Sequence, residues 1–546
     1  MARRTFLTAG LAAALIVSSP GVPVAGAALP APPAPPETPA LPAQAMLHAL
    51  QLDAGAAEIL DRLAAQAATG FLVVRDVRLV DPVSETVTAN QSVLVRDGAV
   101  VWTGPVSGEP STAGAVVIEG GGRFLAPGVT DMHVHTSRAD ARLLALAAGV
   151  TSLREMDGFP WLLRLREKVR SQQTLGPSLY VAGTIINAAP MEGYAVVPKS
   201  LAEGRRIVRD QAACGYDFIK IHNVVPEKLF DAVVDEAAKA GMDVVGHSPH
   251  GLPVRKAAGA MRTLEHLKGF IDDRTLTLGD TDYSAVTDGP EVWITPTLYT
   301  YRPSLRGAEA EALLAGEQGA LTPAAVRRSW KQALAEPATP LLKLRQDSQA
   351  IRVEITRRLA AKGARFLVGT DSGGYAFTVL GYGALDEMEL LRGAGLRPWE
   401  ILRAATSEPA KAMRREGEFG RIIRGARADF VLLDADPLAD FTVYGRSAGV
   451  MVAGRWLAGA YLRQALTDLK ALYAVEDAAI AVGPKPLAAA VSRLERLAAR
   501  GHVFDADRLT ESAAQLRKAG ASALAARLER LAAVPTQGPC VSVRPS

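Results

Sequence analysis

Histidine, cysteine and aromatic residues are all scarce in this chain. Its 546 residues include 8 histidines and 2 cysteines, and aromatic residues make up 5% of the sequence. Cys214 and Cys540 lie far apart and form no CxxC motif, which excludes a framework of disulfides and leaves open only whether these two residues pair. The basic residues form no run and the net charge is only +4, so we expect no nucleic-acid partner.

A short apolar stretch near the amino terminus indicates export. Residues 1–30 begin with Arg3 and Arg4, continue with an apolar stretch too short to span a membrane, and end at the small residues Ala25-Gly26-Ala27. The sequence RRTFLT is similar to a twin-arginine signal, which directs folded proteins across a membrane, and an ordinary secretory signal that happens to contain two arginines is the alternative. We therefore expect an exported protein, periplasmic or secreted, with no membrane association once the signal is removed.

The rest of the chain divides into segments of different character. The pattern predicts a proline-rich spacer and a short helix over residues 31–69. Two β-rich segments, 70–128 and 417–462, flank a central region over 129–416, and the chain ends in a helical extension over 463–546. The economical interpretation is an α/β protein in which a small β-sandwich domain is built from both flanks, with the central region inserted into it.

The central region alternates short apolar runs with helical patterns, which predicts a (β/α)8 TIM barrel. A doubly wound open sheet is the main alternative, but no GxGxxG motif follows the first strand. The eight candidate strands are 128–135, 149–154, 178–184, 216–222, 243–247, 262–266, 292–298 and 365–371.

The helical extension contains the sequence RLERLAA twice, at 493–499 and 527–533. Apolar residues at helical spacing in and between these copies predict a helical hairpin or a small bundle. Apolar helical faces usually serve packing, so we expect this extension to cap the protein or to join copies of it into a homo-oligomer.

Metal-binding residue types lie at the carboxyl ends of the predicted barrel strands, the face where barrel enzymes hold their active sites. His133 and His135 are two positions apart on one strand, so their side chains point the same way. A single histidine or aspartate at such a place is usually structural, but their joint occurrence at successive strand ends indicates a functional site. The six residues are His133, His135, Lys220, His247, His266 and Asp371.

Imidazole and carboxylate groups are ligands of zinc and similar divalent ions, and six groups suit two metals better than one. Lys220 as an ammonium would be repelled by two cations, so it must be neutral, displaced or modified. Carbamylation by CO2 would turn this lysine into an anionic bridge between the metals. Zinc is the first expectation, although manganese and cobalt suit the same ligands.

Together these motifs resemble those of the amidohydrolase superfamily, most closely its binuclear-metal branch of imidazolonepropionase-like and prolidase-like enzymes. The resemblance covers about residues 70–462 and rests on the stretches FLAPGVTDMHVH, YDFIKIHNVV, GHS, EH, GTDSGG and GRIIRGARADFVLLDADPL. It implies that one metal is bound by His133, His135 and Asp371. The other metal would be bound by His247 and His266, with carbamylated Lys220 as the bridge.

The resemblance also implies the chemistry, which is hydrolysis of a C–N bond in a small-molecule substrate such as a dipeptide or an N-acyl amino acid. Asp371 would take a proton from the attacking water and pass it to the leaving amine. The long segment after the seventh strand, about 300–362, is expected to form a lid. Candidate substrate contacts are His222, Tyr194 and Tyr299, and candidate partners of a substrate carboxylate are Lys268 and Arg302.

Three rival functions fit parts of the same pattern. A mononuclear deaminase would need no bridging lysine and usually carries His-x-x-Glu on the fifth or sixth strand, which the sequence GHSPHG lacks. A phosphotriesterase or lactonase could use the same two-metal centre. A non-catalytic exported binding protein would have lost part of the site. Metal content discriminates among them, with about two metals per chain for the hydrolase, about one for the deaminase and none for the binding protein.

Overall fold

The computed structural model describes residues 43–533 apart from short gaps. The gaps are 136–137, 192–193, 273–276, 280, 290, 303–307, 336–339, 374–377, 483–486 and 519. The predicted export signal, the proline-rich residues up to 42 and Cys540 therefore lie outside the described residues, and what the sequence predicts for them stays a prediction. Among the described helices, none is both long enough and apolar enough to cross a membrane.

The strands and helices of the described residues are numbered in chain order. The strands are β1 Leu72–Asp81, β2 Thr86–Arg96, β3 Ala99–Pro105, β4 Val116–Pro127, β5 Val129–Val134, β6 Val150–Glu155, β7 Ser178–Val181, β8 Ile185–Ile186, β9 Ala195–Val196, β10 Phe218–Ile221, β11 Asp243–Gly246, β12 Thr263–Glu265, β13 Ile271–Asp272, β14 Thr277–Leu278, β15 Trp293–Thr295, β16 Arg365–Phe366, β17 Phe430–Leu433, β18 Gly449–Val452 and β19 Arg455–Ala458. The helices are α1 Ala43–Ala65, α2 Ala139–Ala147, α3 Pro160–Arg170, α4 Leu201–Cys214, α5 Glu227–Lys239, α6 Val254–Ala258, α7 Ser284–Thr287, α8 Leu298–Tyr301, α9 Ala308–Ala315, α10 Glu317–Ala320, α11 Ala324–Ala335, α12 Pro340–Ala361, α13 Tyr382–Gly393, α14 Pro398–Ala405, α15 Ser407–Ala412, α16 Gly459–Val482, α17 Leu487–Ala499, α18 Ala506–Lys518 and α19 Ser522–Ala532.

One sheet joins strands from both ends of the described chain. Its seven strands run in the order β19-β18-β17-β4-β1-β2-β3, with β4 parallel to β1 and antiparallel to β17. The Asp97-Gly98 pair has positive φ at both residues, which suits the tight hairpin between β2 and β3. Buried apolar residues such as Leu72, Leu125 and Phe430 form a core of their own on this sheet. All seven strands share one hydrogen-bonded sheet, and the prediction of two packed sheets stays a prediction.

The central region consists of parallel strands separated by helices. The strands β5, β6 and β7 form one group, and β8, β10, β11, β12, β15 and β16 belong to a second. A parallel bridge between Ala182 and Phe218 connects the two groups, and the segment after β16 returns to β5 through hydrogen bonds from Met132 N to Val368 O at 2.9 Å and from Asp371 N to His133 O at 2.7 Å. The eight main strands lie in their predicted ranges, with β6 extending one residue further. The very short strands β8, β9, β13 and β14 were not predicted, because two-residue pairings leave no periodic pattern.

The helices at the two ends of the described chain pack against each other. The repeated sequence lies on α17 and at the end of α19, and the first arginine of each copy has a different partner. Arg493 donates from Nε to Glu58 of α1 at 2.8 Å, whereas Arg527 donates to Glu495 of α17 at 2.9 Å. His502 adds a contact of 2.7 Å between its Nε2 and Asp61 of α1. The carboxyl-terminal helices therefore form a bundle that includes the helix preceding the first strand.

Candidate metal centre

The six predicted ligands all come to the carboxyl ends of the central strands. His133 lies on β5 and Lys220 on β10, while His247 and His266 directly follow β11 and β12. Five of the six residues are nearly or fully buried, with relative exposures of 0% for His133, 1% for Lys220, 3% for Asp371, 4% for His266 and 6% for His247. Burying so many polar groups is costly unless each of them has a partner, so their contacts decide what the site can bind.

Two histidines and one aspartate form the tightest part of the site. The Nε2 atom of His135 lies 2.8 Å from Oδ1 of Asp371, and Nε2 of His133 lies 3.5 Å from the same oxygen. The two Nε2 atoms are 3.2 Å apart. One ligand atom from each of His133, His266 and Asp371 falls within 4.8 Å of the others. Ligand nitrogens that converge on a carboxylate in this way are suited to hold a cation between them.

The other two histidines continue this cluster. The ring centroids of His133 and His266 are 4.6 Å apart, and those of His266 and His247 are 4.8 Å apart. Lys220 lies on the same side, with its Nζ 3.4 Å from Nε2 of His133. The structure therefore brings all six predicted residues into one contiguous group, with Lys220 between the strands that carry the histidines.

Every one of the four histidines directs Nδ1 at an oxygen. His133 Nδ1 lies 2.8 Å from Glu265, His135 Nδ1 lies 2.8 Å from Asp157, His247 Nδ1 lies 2.6 Å from Asn223 and His266 Nδ1 lies 2.7 Å from the Thr297 hydroxyl. The Thr297 hydroxyl donates to the carbonyl of Pro296, so it accepts from His266. Histidines that bind metals usually donate their other ring N–H to an oxygen in this manner. The arrangement leaves Nε2 as the ring atom that faces a metal, and His135, whose Nε2 already lies 2.8 Å from Asp371, must lose a proton before it can bind one.

Burial and neighbouring charges set the protonation of these rings. Burial, reinforced by Lys220, holds the pKa of His133 well below its usual range, and burial lowers the pKa of His266 to about 4 even though Asp371 opposes this. His135 differs, because Asp157 and Asp371 outweigh burial and raise its pKa to about 10. Neutral imidazole is the form that binds metals. The carboxylates around His135 stabilise positive charge at the position where a metal would sit.

The backbone at the site adopts conformations that few side chains tolerate. His266 and Asp371 have φ values of 61° and 57°, in the left-handed region that most residues avoid. Gly246 has a φ of 123°, and a Cβ there would lie 2.2 Å from the carbonyl oxygen of Ile221. Only glycine fits at this position, and its absence of a side chain lets β11 approach β10 so that His247 lies near Lys220. Strained residues of this kind cluster at functional sites.

Sequence reasoning missed the residues that orient the ligands. Glu265 accepts from Arg154 as well as contacting His133, with 2.8 Å between Arg154 Nη2 and its Oε1. Arg154 also donates from Nε to the Met132 carbonyl at 2.6 Å, which ties β6 to β5. Asn223 and Glu265 stand directly beside His222 and His266 in the sequence. This adjacency is the only feature of the sequence that could have indicated their role in orienting the ligands, because a carboxylate or amide next to a strand end has no distinctive spacing.

The predicted substrate contacts lie around the cluster at different depths. His222 is half-buried, and its ring centroid lies 4.1 Å from that of His247. Tyr194 is half-buried and packs edge-on against Phe159. Tyr299 is fully buried, and its hydroxyl accepts a hydrogen bond from Val379 N at 2.9 Å. Tyr299 is thus packed in the protein interior, and the contact of all three residues with a substrate stays a prediction.

The two candidate partners of a substrate carboxylate differ in their surroundings. Arg302 lies 3.2 Å from Asp386 and 3.5 Å from Glu309, so its charge is already balanced. Lys268 is half-buried, and its positive charge contributes to the lowered pKa values of His222 and His247. Of these two candidates, Lys268 is therefore the one whose charge acts on the histidine cluster, in addition to Lys220.

Replacing Glu265 with glutamine is expected to weaken metal binding about 10–100-fold, as losses among groups that orient metal ligands typically do. An amide removes the negative charge that holds the Nδ1 proton of His133, so His133 Nε2 becomes a poorer ligand. Competition with a chelator measures this change. The matched control is Glu408→Gln, because Glu408 accepts from Trp293 Nε1 at 2.7 Å at the amino end of β15. Equal metal affinity in both variants would show that Glu265 has no such role.

Comparison with known proteins finds a matching family and several similar chains. The sequence profile of the amidohydrolase family matches residues 124–457. Imidazolonepropionase from Streptomyces coelicolor is 28% identical over 412 residues, which cover 71% of this chain and 96% of that enzyme. The structure of a bottromycin amidohydrolase is similar with a TM-score of 0.62 at 27% identity, covering 76% of this chain and 93% of that one. A Xaa-Pro dipeptidase with bound methionine is similar with a TM-score of 0.56 at 19% identity, covering 71% and 100% of the two chains.

These likenesses give the fold as an α/β fold that contains a TIM barrel, as the sequence predicts. The family match covers the central strands together with part of each flank, whereas α1 and the carboxyl-terminal helices α16 to α19 fall outside it. Enzymes of this superfamily generally use divalent metals, and the histidine and aspartate cluster suits that chemistry. The chain therefore belongs to the amidohydrolase family and is a metal-dependent hydrolase that acts on C–N bonds.

Proposed function

We propose that this chain is an exported two-metal hydrolase that cleaves the amide or peptide bond of a small substrate, such as a dipeptide or an N-acyl amino acid. The observation that carries the proposal is the arrangement of the four histidines around Asp371 and Lys220, in which each ring directs Nδ1 at an oxygen and Nε2 remains as the ring atom for a metal. Support for the substrate class comes from the similar proteins, which include an amidohydrolase and a Xaa-Pro dipeptidase.

The proposal assigns the metals to two sets of ligands. His133, His135 and Asp371 would hold the first metal, and His247 and His266 the second. The eight central strands close into one ring that keeps these sets together, a proposal supported by the hydrogen bonds between β5 and the segment after β16. Zinc suits imidazole and carboxylate ligands best among the common ions. When bound, such metals polarise a carbonyl group and lower the pKa of water toward neutrality.

Lys220 joins the two sets as a carbamate. Its uncharged amine adds to CO2, forming an N–C bond and releasing one proton, so that the side chain becomes an anion with two oxygens. Burial lowers the pKa of Lys220, and this favours the uncharged amine that the addition needs. An anion is also the group that a position between two cations requires, whereas an ammonium there would be repelled.

Two residues near the metals have different roles in hydrolysis. Asp371 lies within reach of both the His133–His135 pair and the His266 ring, so its carboxylate is placed to accept a proton from the attacking water. The same carboxylate then delivers this proton to the nitrogen that leaves. Lys268 attracts the carboxylate of the substrate, because its charge extends over the side of the cluster formed by His222 and His247. The deep burial of the cluster limits the access of bulk water to the reacting groups.

Metal analysis and a substrate screen test the proposal together. The full chain is purified, its bound metals are counted, and the metal-loaded protein is incubated with libraries of dipeptides and N-acyl amino acids. About two metals per chain and release of a free amino acid are expected. About one metal with release of ammonia from a heterocycle, hydrolysis of phosphotriesters or lactones alone, or absence of metal would each contradict it. Fractionation of cells that express the full chain tests export separately.

A further inference from the structure

A buried polar network connects three helices at the start of α2. Asp53 of α1 accepts a hydrogen bond from Ala139 N at 2.8 Å. Arg138 donates from Nε and Nη2 to the two oxygens of Asp140, at 3.0 and 2.9 Å. Tyr473 of α16 donates its hydroxyl proton to Oδ2 of the same aspartate at 2.9 Å. Helices from opposite ends of the chain therefore meet at one helix of the central region.

This network supplies what α2 itself lacks. The residue before α2 is Arg138, whose side chain forms no capping hydrogen bond to the helix. The first backbone N–H groups of a helix need acceptors, which usually come from a serine, threonine, asparagine or aspartate just before it. Here the acceptor for Ala139 N is Asp53, which is distant in sequence. The helix that begins four residues after His135 thus takes the acceptor for its first N–H from outside the central region, while its own Asp140 accepts from Ala141 N at 2.8 Å.

Packing alone does not require such a network. Asp53 and Asp140 are only 8% and 5% exposed, and burying two carboxylates costs stability unless both are well bonded. A contact between apolar side chains would seat α1 and α16 on α2 at least as well. What a set of directed hydrogen bonds adds is a fixed orientation, here of Arg138 and the start of α2, which lie three and four positions after the predicted ligand His135 in the sequence.

We propose that Asp53 and Tyr473 are positioning residues for metal binding. They hold the start of α2 and thereby place His135, whose Nε2 must stay near Asp371 for the two to share a metal. Both residues lie outside the segment 124–457 that matches the amidohydrolase family. The inference rests on the proposed function, because it requires a metal at His135. On this inference, α1 and α16, which lie outside the family match, help to position a metal ligand.

The rest of the bundle keeps the helices docked when this network is altered. Arg493 bonds to Glu58, and His502 lies 2.7 Å from Asp61, both at other points of α1. Tyr473→Phe removes one hydroxyl and leaves the buried ring in place. Any effect on the metal site therefore has to travel through Asp140 and not through loss of the bundle.

The experiment compares Tyr473→Phe with a matched variant, Tyr444→Phe. Tyr444 is also fully buried, and its hydroxyl donates to the Pro127 carbonyl at 3.1 Å, just before β5 and at the opposite end of that strand from His135. Zinc affinity is measured by competition with a chelator, and thermal unfolding is measured on the metal-free chain. We expect Tyr473→Phe to weaken binding of one zinc about tenfold. Tyr444→Phe should leave the affinity for each of the two zinc ions unchanged. Its unfolding temperature should fall by about as much as that of Tyr473→Phe.

A second pair of variants separates the hydrogen bond from the charge of Asp53. Asp53→Asn removes the charge but keeps an oxygen that can accept from Ala139 N, so this variant should retain normal zinc affinity, whereas Asp53→Ala should resemble Tyr473→Phe. Unchanged zinc affinity in both Tyr473→Phe and Asp53→Ala would overturn the inference and leave the proposed function standing. A wild-type chain that takes up no zinc would overturn the proposed function, and this inference with it.

Discussion

Replacing Asp371 with asparagine is expected to slow hydrolysis about 10²–10⁴-fold, the range typical of a lost general acid or base. The amide cannot accept the proton of the attacking water, although it occupies the same space and keeps one oxygen near His135. The variant should therefore retain most of its metal. Turnover of a substrate found in the screen, measured beside the metal content of the same preparation, checks both parts of this expectation.

The matched control for this substitution lies at the other end of the barrel strands. Asp243 begins β11 and accepts from Arg414 at 2.9 and 3.0 Å. Asp243→Asn makes the same chemical change far from the ligands, so its turnover should stay close to that of the wild type. Near-normal turnover in Asp371→Asn would show that another group moves the proton. Loss of both metals in that variant would show that Asp371 acts chiefly as a ligand.

Replacing Lys220 with alanine is expected to reduce bound metal from about two to about one per chain and to abolish most activity. The variant loses the anion that joins the two ligand sets, and the buried space beside His133 is left without a charge to balance the second metal. Carbon-13 NMR of the wild type supplied with labelled bicarbonate should show one carbamate signal, and that signal should be absent from the variant. A short carboxylic acid such as propionate should restore part of the activity by filling the vacant position.

Lys411→Ala serves as the control for the lysine. Lys411 is half-buried and donates to Glu408 at 3.0 Å on α15, away from the histidine cluster. Its removal should change neither the metal content nor the carbamate signal. If Lys220→Ala kept both metals, or if the wild type showed no carbamate signal, the bridging role of Lys220 would be wrong.

The sequence was informative wherever a short local pattern determines the outcome. His133 and His135 alternate on a strand, and His247 and His266 each end an apolar run, so their meeting follows from the geometry of parallel strands. Lys220 could be placed beside them because a lysine inside the apolar sequence FIKI is rarely buried without a reason. These inferences needed only the order of the strands and the face on which each side chain lies.

Partners that come from distant segments could not be inferred in this way. The cap that Asp53 gives to Ala139 and the bond from Tyr473 to Asp140 depend on how helices from both ends of the chain pack. Helical periodicity shows that α1 and α16 have apolar faces, but it does not show which faces meet. The same holds for Asp157, whose contact with His135 depends on the register between β5 and β6.

The position of β4 between β1 and β17 has a consequence for the protein during its synthesis on the ribosome. Residues 124–127 of β4 pair with residues 430–433 of β17, so one edge of β4 has no neighbour while the whole barrel is still being translated. An unpaired strand edge invites association with other chains, and contacts between distant residues form slowly. This edge of β4 therefore stays unpaired until β17 has been synthesised, and only then can the sheet add β17, β18 and β19.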